Sequence, residues 1–379
     1  VTQLLVVGAG IGGLTAALTL NARGIEAIVI EKATELRPLG VGINLLPHAV
    51  RELVELGLGD EIAHIAVAPH AHAFYDTEGN LLFREPRGLE GGYGWPQYSV
   101  HRGQLQMMLL TALRDRTGSD VVRTACELTD FEQTNGGVHV RTSSGECEAR
   151  MLVGADGIHS TVRERLHPAG DPLRWAGVQI FRGVAPGEPF LDGRTAVMVK
   201  ADGADFVVYP LGGGLINWVM LKKVTAPGAL PGDAKWNRPG DRSEVVAMLA
   251  EWNLGWLDAV DLVRRTELVL EYPMVDRDVL PWWGRGGVTL LGDAAHPMYP
   301  VGANGGSQAI VDARVLADEL ARDFRGGLLA YERIRRPETA DVVAANREMH
   351  VIGATQRPED LAHVTGKYRK DTRADEVRA

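Results

Sequence analysis

The sequence is short of cysteine, of long apolar runs and of excess positive charge. Only Cys126 and Cys147 occur among 379 residues. Two cysteines build no disulfide framework, and their spacing matches no usual metal-ligand pattern. A reducing, cytoplasmic setting without a bound metal is the expectation. No apolar run approaches the ~20 residues that span a bilayer. The one apolar run near the start, Leu4 to Val7, passes directly into Gly8-Ala-Gly-Ile-Gly-Gly13, which suits no signal peptide. The formal net charge of −9 argues against nucleic acid or an anionic membrane as a partner. Basic residues near the C-terminus (Arg333, Arg335, Arg336, Lys367, Arg369, Lys370) are interrupted by acids and read as a solvated helical face and tail. A second dinucleotide fingerprint is also missing, so nothing selects NADH over NADPH.

What is present is an ordinary globular composition, 45% hydrophobic and 23% charged, enough for one large core and a smaller lobe. Leu4 to Val7 reads as a strand buried on both faces. Gly8-x-Gly10-x-x-Gly13 follows, then a helix over about 11–23, then a strand from Ile25 to Ile30 that ends at Glu31. This is the dinucleotide fingerprint in its required context. Gly8 permits the tight turn, Gly10 lets backbone approach a pyrophosphate, and Gly13 lets helix and strand pack. Glu31 stands where it can hold ribose hydroxyls. On this element alone the ligand is FAD or NAD.

A second signal lies at Val288 to Gly306. An apolar run ends in Gly292-Asp293, a loop rich in proline and glycine follows, and then a helix starts. Backbone and one carboxylate there can hold a polar ligand. A third carboxylate, Asp156, ends another buried strand in Gly154-Ala-Asp-Gly157, at the edge where doubly wound sheets bind ligands. Arg37-Pro-Leu-Gly-Val-Gly-Ile43 suggests backbone passing close to a ligand. His48, at the start of a helix over about 47–57, reads as a surface or capping group. The region from about 174 to 270 changes character: strand-like segments, a Gly212-Gly-Gly214 turn, and one helix near 242–252. Tyr209, Ile216, Trp218 and Met220 on an inner sheet face, with Met298, would wall a flat apolar ligand. Pro337 is expected to kink or restart the last helix.

Together, the three motifs resemble the single-component flavoprotein aromatic hydroxylases, the 4-hydroxybenzoate and salicylate hydroxylase family, over nearly the whole chain. Arg37 to Asn44, Tyr98 to Met107, Tyr272 to Asp278 and Met298 to Gln308 resemble its phenazine-hydroxylating branch. The implied fold is α/β: a Rossmann-like FAD-binding domain with an inserted, mainly antiparallel-sheet substrate domain, an α+β second lobe. The FAD-binding part would comprise 1–71, 100–173 and 271–362, the substrate part 72–99 and 174–270, and 363–379 a polar tail. The resemblance implies FAD as cofactor, with Gly8, Gly10, Ile11, Gly12, Gly13 and Glu31 around its ADP half. Lys32, Arg37, Gly42, Arg102, Leu128 and Asp156 would also line it. Gly292 and Asp293 would hold the ribityl chain, and Pro300, Gly302, Ala303, Asn304 and Gly305 would border the ring. NADH or NADPH would be the transient reductant, and O2 and a small aromatic compound the substrates. Two departures matter. The wider family commonly has Gln at the position of Asn304, and one branch places a catalytic His where this chain has Asn44. No convincing general base stands out; Tyr209 and His296 are the candidates, and an electron-rich ring needs none. A same-fold flavin reductase that does not use O2, and a non-catalytic FAD- or aromatic-ligand-binding protein, are the alternatives.

Overall fold

The computed structural model describes residues 2–230, 232 and 238–353. The expected tail at 363–379, and 354–362 of the expected FAD-binding part, lie outside the described residues.

Among the described residues, a seven-stranded sheet carries the first lobe. Its centre is Thr2–Val7, paired in parallel with Ala27–Ile30 on one side and Gly145–Gly154 on the other. Val288–Leu290 joins Gly145–Gly154, also in parallel, so the strand ends before Gly8, Ala155 and Leu291 come out at one edge. The Gly137–Thr142 and Leu128–Thr134 strands extend the sheet as an antiparallel meander. Leu4, Val6, Leu152, Val153, Val288 and Leu290 are wholly buried, as parallel strands covered on both faces must be. Helix Ile11–Ala22 packs against Gly305–Arg322 and Arg102–Thr117, closing this core.

The second lobe is a nine-stranded sheet, ordered Arg238–Pro239, Leu270–Asp276, Arg174–Pro186, Leu215–Lys223, Ala204–Leu211, Thr195–Ala201, Ala71–Tyr75, Leu81–Pro86, with Gly228–Ala229 paired to Arg174–Pro186. A small sheet of Gly42–Leu45, Tyr98–His101 and Ala66–Val67 stands between the two. Two helices cover one face of the large sheet, not one. Arg242–Leu249 is shorter than expected, and Ala259–Arg265 is capped by the Asp258 carboxylate, which accepts from the Asp261 N–H at 2.8 Å. The last helix runs unbroken from Gly327 to Gly353 with Pro337 inside it, so the proline does not restart it. No described helix is long and apolar enough to cross a membrane.

Candidate active site

The strand edge of the first lobe collects the three motifs. Gly8 has φ +104°, and a Cβ there would lie 2.5 Å from the Ala155 carbonyl oxygen. A Cβ on Gly13 would lie 1.9 Å from the Gly8 oxygen. Both glycines are required by the protein's own packing. Gly10 differs: a Cβ there would meet nothing within 4 Å. The fold leaves open space in front of Gly10, at the N-terminus of helix Ile11–Ala22, where no side chain caps the free N–H groups. That is the geometry of a phosphate cradle. Glu31 is fixed beside it, accepting from the Ala9 N–H at 2.8 Å and the Ala33 N–H at 2.9 Å.

Gly292-Asp293 forms a short turn after Val288–Leu290. Asp293 is exposed although its neighbours Gly292 and Ala294 are buried. The surrounding protein nevertheless desolvates the carboxyl and pushes its pKa up, against the pull of His296 and Arg102. A carboxylate so enclosed and still open lines a recess. A Cβ on Gly305 would come 3.6 Å from its Oδ1, so the start of helix Gly305–Arg322 lies alongside. No side chain caps that helix. Gly302 at φ +83° and Ala303 at φ +59° turn the chain into it. Asn304 is buried, with its Nδ2 lacking a hydrogen-bond partner.

Arg102 begins its own helix, held by its N–H on the Val41 oxygen at 2.9 Å. Burial lowers its pKa, the Arg182 charge lowers it further, and Asp293 opposes them. Asp156 is occupied locally: Ser160 Oγ donates to it at 2.5 Å and the Val162 N–H at 3.2 Å. Burial raises its pKa despite these bonds.

Across the recess stands one face of the nine-stranded sheet. Tyr209 pairs with Asn217, and Asn217 with Val184, so these three share a face, with Arg182 two residues from Val184. Asn217 Oδ1 accepts from the Gly42 N–H at 2.7 Å. A Cβ on Gly42 would sit 2.8 Å from both Asn217 and Tyr209, so only glycine lets the small sheet approach this closely. Tyr299 and Val301 of the loop before Asn304 pack on the same face, against Ile180, Tyr272 and Met274.

The chemistry of these groups fits a dinucleotide carrying a polyol chain. Two uncapped helix starts, an open cradle at Gly10 and two carboxylates poised for hydroxyls meet at one strand edge. A family model described as an FAD binding domain matches residues 1–346. The chain belongs to this family. It is 47% identical to the phenazine 1,6-dicarboxylic acid hydroxylase PhzS of Lysobacter antibioticus, over 97% of this chain and 96% of that protein. It is 35% identical to the 3-hydroxybenzoate 6-hydroxylase 1 of Aquipseudomonas alcaligenes, over 91% and 88%. Among solved structures it is similar to Klebsiella pneumoniae HpxO complexed with FAD and uric acid, at TM-score 0.80 and 25% identity, covering 97% of this chain and 93% of that one. The protein is an FAD-dependent aromatic monooxygenase with a Rossmann-like FAD domain, and the comparisons favour this over a reductase or a non-catalytic binder.

Several residues lie elsewhere than expected. Ile216, Trp218 and Met220 pair with Pro210, Val208 and Phe206, which puts them on the face opposite Tyr209. They pack beneath the two helices with Val245, Leu249, Leu262 and Val263. The Trp218 indole N–H is spent on Thr266 Oγ1 at 2.7 Å. They form the lobe's core, not the wall of the FAD-family site. His48 is not a surface group: desolvation first, then Arg335 and Arg51, push its pKa down to about 4. His296 is buried in an internal network, its Nε2 2.6 Å from Asp312 Oδ2. Arg335 holds the other Asp312 oxygen at 2.7 Å. Although burial alone would raise it, His296 and Arg335 bring the Asp312 pKa down to about 2. Burial pushes the Tyr209 phenol upward, which opposes its use as a phenolate base. Lys32 and Arg37 are exposed, Arg37 pairing with Glu35 at 2.7 Å. Leu128 is buried at the start of its strand, and Met298 is buried in the loop beyond His296. Arg182, Asn217 and Tyr272 were not anticipated. A cation inside the apolar run Val178-Gln-Ile-Phe-Arg-Gly183 was the available signal.

Proposed function

We propose that this protein hydroxylates an aromatic or N-heteroaromatic acid of the phenazine carboxylate kind, using NADH or NADPH and O2. The observation that carries this reading is the likeness to a phenazine dicarboxylate hydroxylase over essentially the full length of both chains. When bound, FAD supplies electron transfer from the reduced nicotinamide and the activation of O2. The residues of this chain bind, orient and shield. The start of helix Ile11–Ala22 at Gly10, with Ile11, Gly12 and Glu31, takes the ADP half. Asp293 takes ribityl hydroxyls, and Arg102 a phosphate. The uncapped start of helix Gly305–Arg322 would offer N–H groups and the positive end of its dipole to the ring, worth about 0.3–2 kcal/mol toward negative charge there. Pro300 to Gly305 would border that ring, and the Tyr209 face of the second sheet would help to keep water from the reacting atoms. The seven-stranded sheet would carry the FAD-binding part and the nine-stranded sheet the substrate part, to which Leu270–Asp276 would then belong. An electron-rich ring needs no protein base, which suits a site whose Tyr209 is held protonated. Where the attacked carbon carries a carboxylate, CO2 leaves with the hydroxylation.

The test is NADH oxidation by the yellow holoprotein against phenazine, salicylate and quinoline carboxylates, with product masses measured under 18O2. A phenazine product carrying one 18O atom is expected. Unchanged phenazine beside an oxygenated benzoate or quinoline would redirect the substrate class.

A further inference from the structure

We propose that Arg182 is the substrate's carboxylate anchor, an inference that rests on the reading of the protein as a hydroxylase of aromatic acids. Arg182 lies in strand Arg174–Pro186, on the face shared with Val184, Asn217 and Tyr209. Its guanidinium carbon stands 4.3 Å from the centroid of the Tyr272 ring. Its Nε is buried without a hydrogen-bond partner, and no carboxylate among the described residues pairs with the guanidinium. Other enclosed arginines of this chain are answered by acids. Arg335 has Asp312 and Glu338, and Arg163 has Asp171. Arg182 is half-buried with its Nε closed off from water, so part of the guanidinium stays open to an anionic ligand while no acid among the described residues pairs with it.

The charged and titratable groups around Arg182 do not supply it. Tyr209 and Tyr272 are phenols on the same face, and Arg102 is a like charge whose own proton affinity Arg182 depresses. Asp293 acts on Arg102 and belongs to the cofactor recess. A flat acid fits what remains: its carboxylate takes the fork of Arg182, which binds two oxygens at once, and its ring lies along the Tyr209 and Val184 wall. The tyrosine beneath the guanidinium holds the fork in place without consuming its N–H donors. This explains why an arginine is tolerated inside an otherwise apolar strand.

The experiment uses FAD-loaded protein and two pairs of probes: phenazine-1-carboxylate with phenazine-1-carboxamide, and 3-hydroxybenzoate with 3-hydroxybenzamide. Binding is followed by the change in the bound-flavin spectrum, in the parent, Arg182→Gln and Arg182→Lys. The parent should prefer acid over amide by about 10- to 100-fold, as one charge-assisted bidentate contact provides. Arg182→Gln should bring that ratio to near one by weakening the acid alone, Arg182→Lys should recover part of it, and bound FAD per chain should stay at the parent's level. An unchanged ratio in Arg182→Gln, equal loss of acid and amide, loss of FAD, or no acid preference in the parent with either pair overturns the anchor. Acid preference with the benzoate pair alone, lost in Arg182→Gln, keeps the anchor and overturns the phenazine reading.

Discussion

On one face of the nine-stranded sheet, Ile216, Trp218 and Met220 lie beneath two helices, in a core with Phe181, Phe206 and Val208. On the other face the same strands present Arg182, Tyr209 and Asn217 toward the first lobe. Residues that alternate along one strand therefore serve two ends. The helix-covered face is mainly apolar, and the Trp218 N–H is satisfied within the lobe. The facing side keeps a cation unanswered and a phenol protonated, and it meets the small sheet where Gly42 lies against Asn217 and Tyr209. Close packing marks the first face, and the proposed ligand contacts lie on the second.

Substitutions can break or sharpen that contrast. The largest effect is expected from Trp218→Ala, which leaves a cavity and removes the donor to Thr266 Oγ1. It should lower unfolding free energy by about 3–5 kcal/mol, read from urea denaturation, while the acid-over-amide preference of the folded fraction stays. Selective loss of that preference with little loss of stability would place Trp218 on the ligand side. Next is Gly42→Ala, whose new Cβ would sit 2.8 Å from Asn217 and Tyr209. It should destabilise by about 1–3 kcal/mol through overpacking and weaken substrate binding together with stability. Parent-like behaviour in both would show that the small sheet and the facing side are not tightly joined.

The last effect concerns pH. His72 shares the facing side through the pairing of Phe74 with Met198 and of Met198 with Val207. Burial, then the charge of Arg87, hold its pKa down from 6.5 to about 3. Its folded pKa lies below its unfolded one, so the stability it contributes is complete above pH 6.5 and is lost as pH falls toward 3. The unfolded chain takes the proton first, with a slope of at most about 1.4 kcal/mol per pH unit. His72→Phe should flatten the stability profile between pH 6.5 and 4 relative to the parent. An identical profile would remove His72 from the account.

The first lobe was legible because each signal is local. Gly8, Gly13 and Glu31 have their reasons within a few residues or one strand away: no side chain fits at either glycine, and Glu31 accepts from the Ala9 N–H. The second lobe was not. Period two says that Ile216, Trp218 and Met220 share a face, but not which face meets the helices. That depends on the register with Ala204–Leu211, set by contacts far apart in sequence. Tyr209 is separated from them by its pairing with Asn217. Helix Ala259–Arg265 escaped notice because seven residues carry little periodicity, although Asp258 before Asp261 is a capping signal. His48 sits at a helix start, where histidine usually meets water, and only the fold brings Arg335 and Arg51 beside it.

The central claim is that the facing side closes over a flavin held by Asp293. The bound FAD per chain of purified Asp293→Ala tests it most directly, measured by absorbance against protein concentration with parent protein alongside. The carboxylate opens into the recess beside Gly305, so its loss should remove the flavin, with folding retained by circular dichroism and FAD falling at least about tenfold, as expected when a charged group's hydrogen bonds are lost. Full retention of FAD by the folded variant would contradict the account.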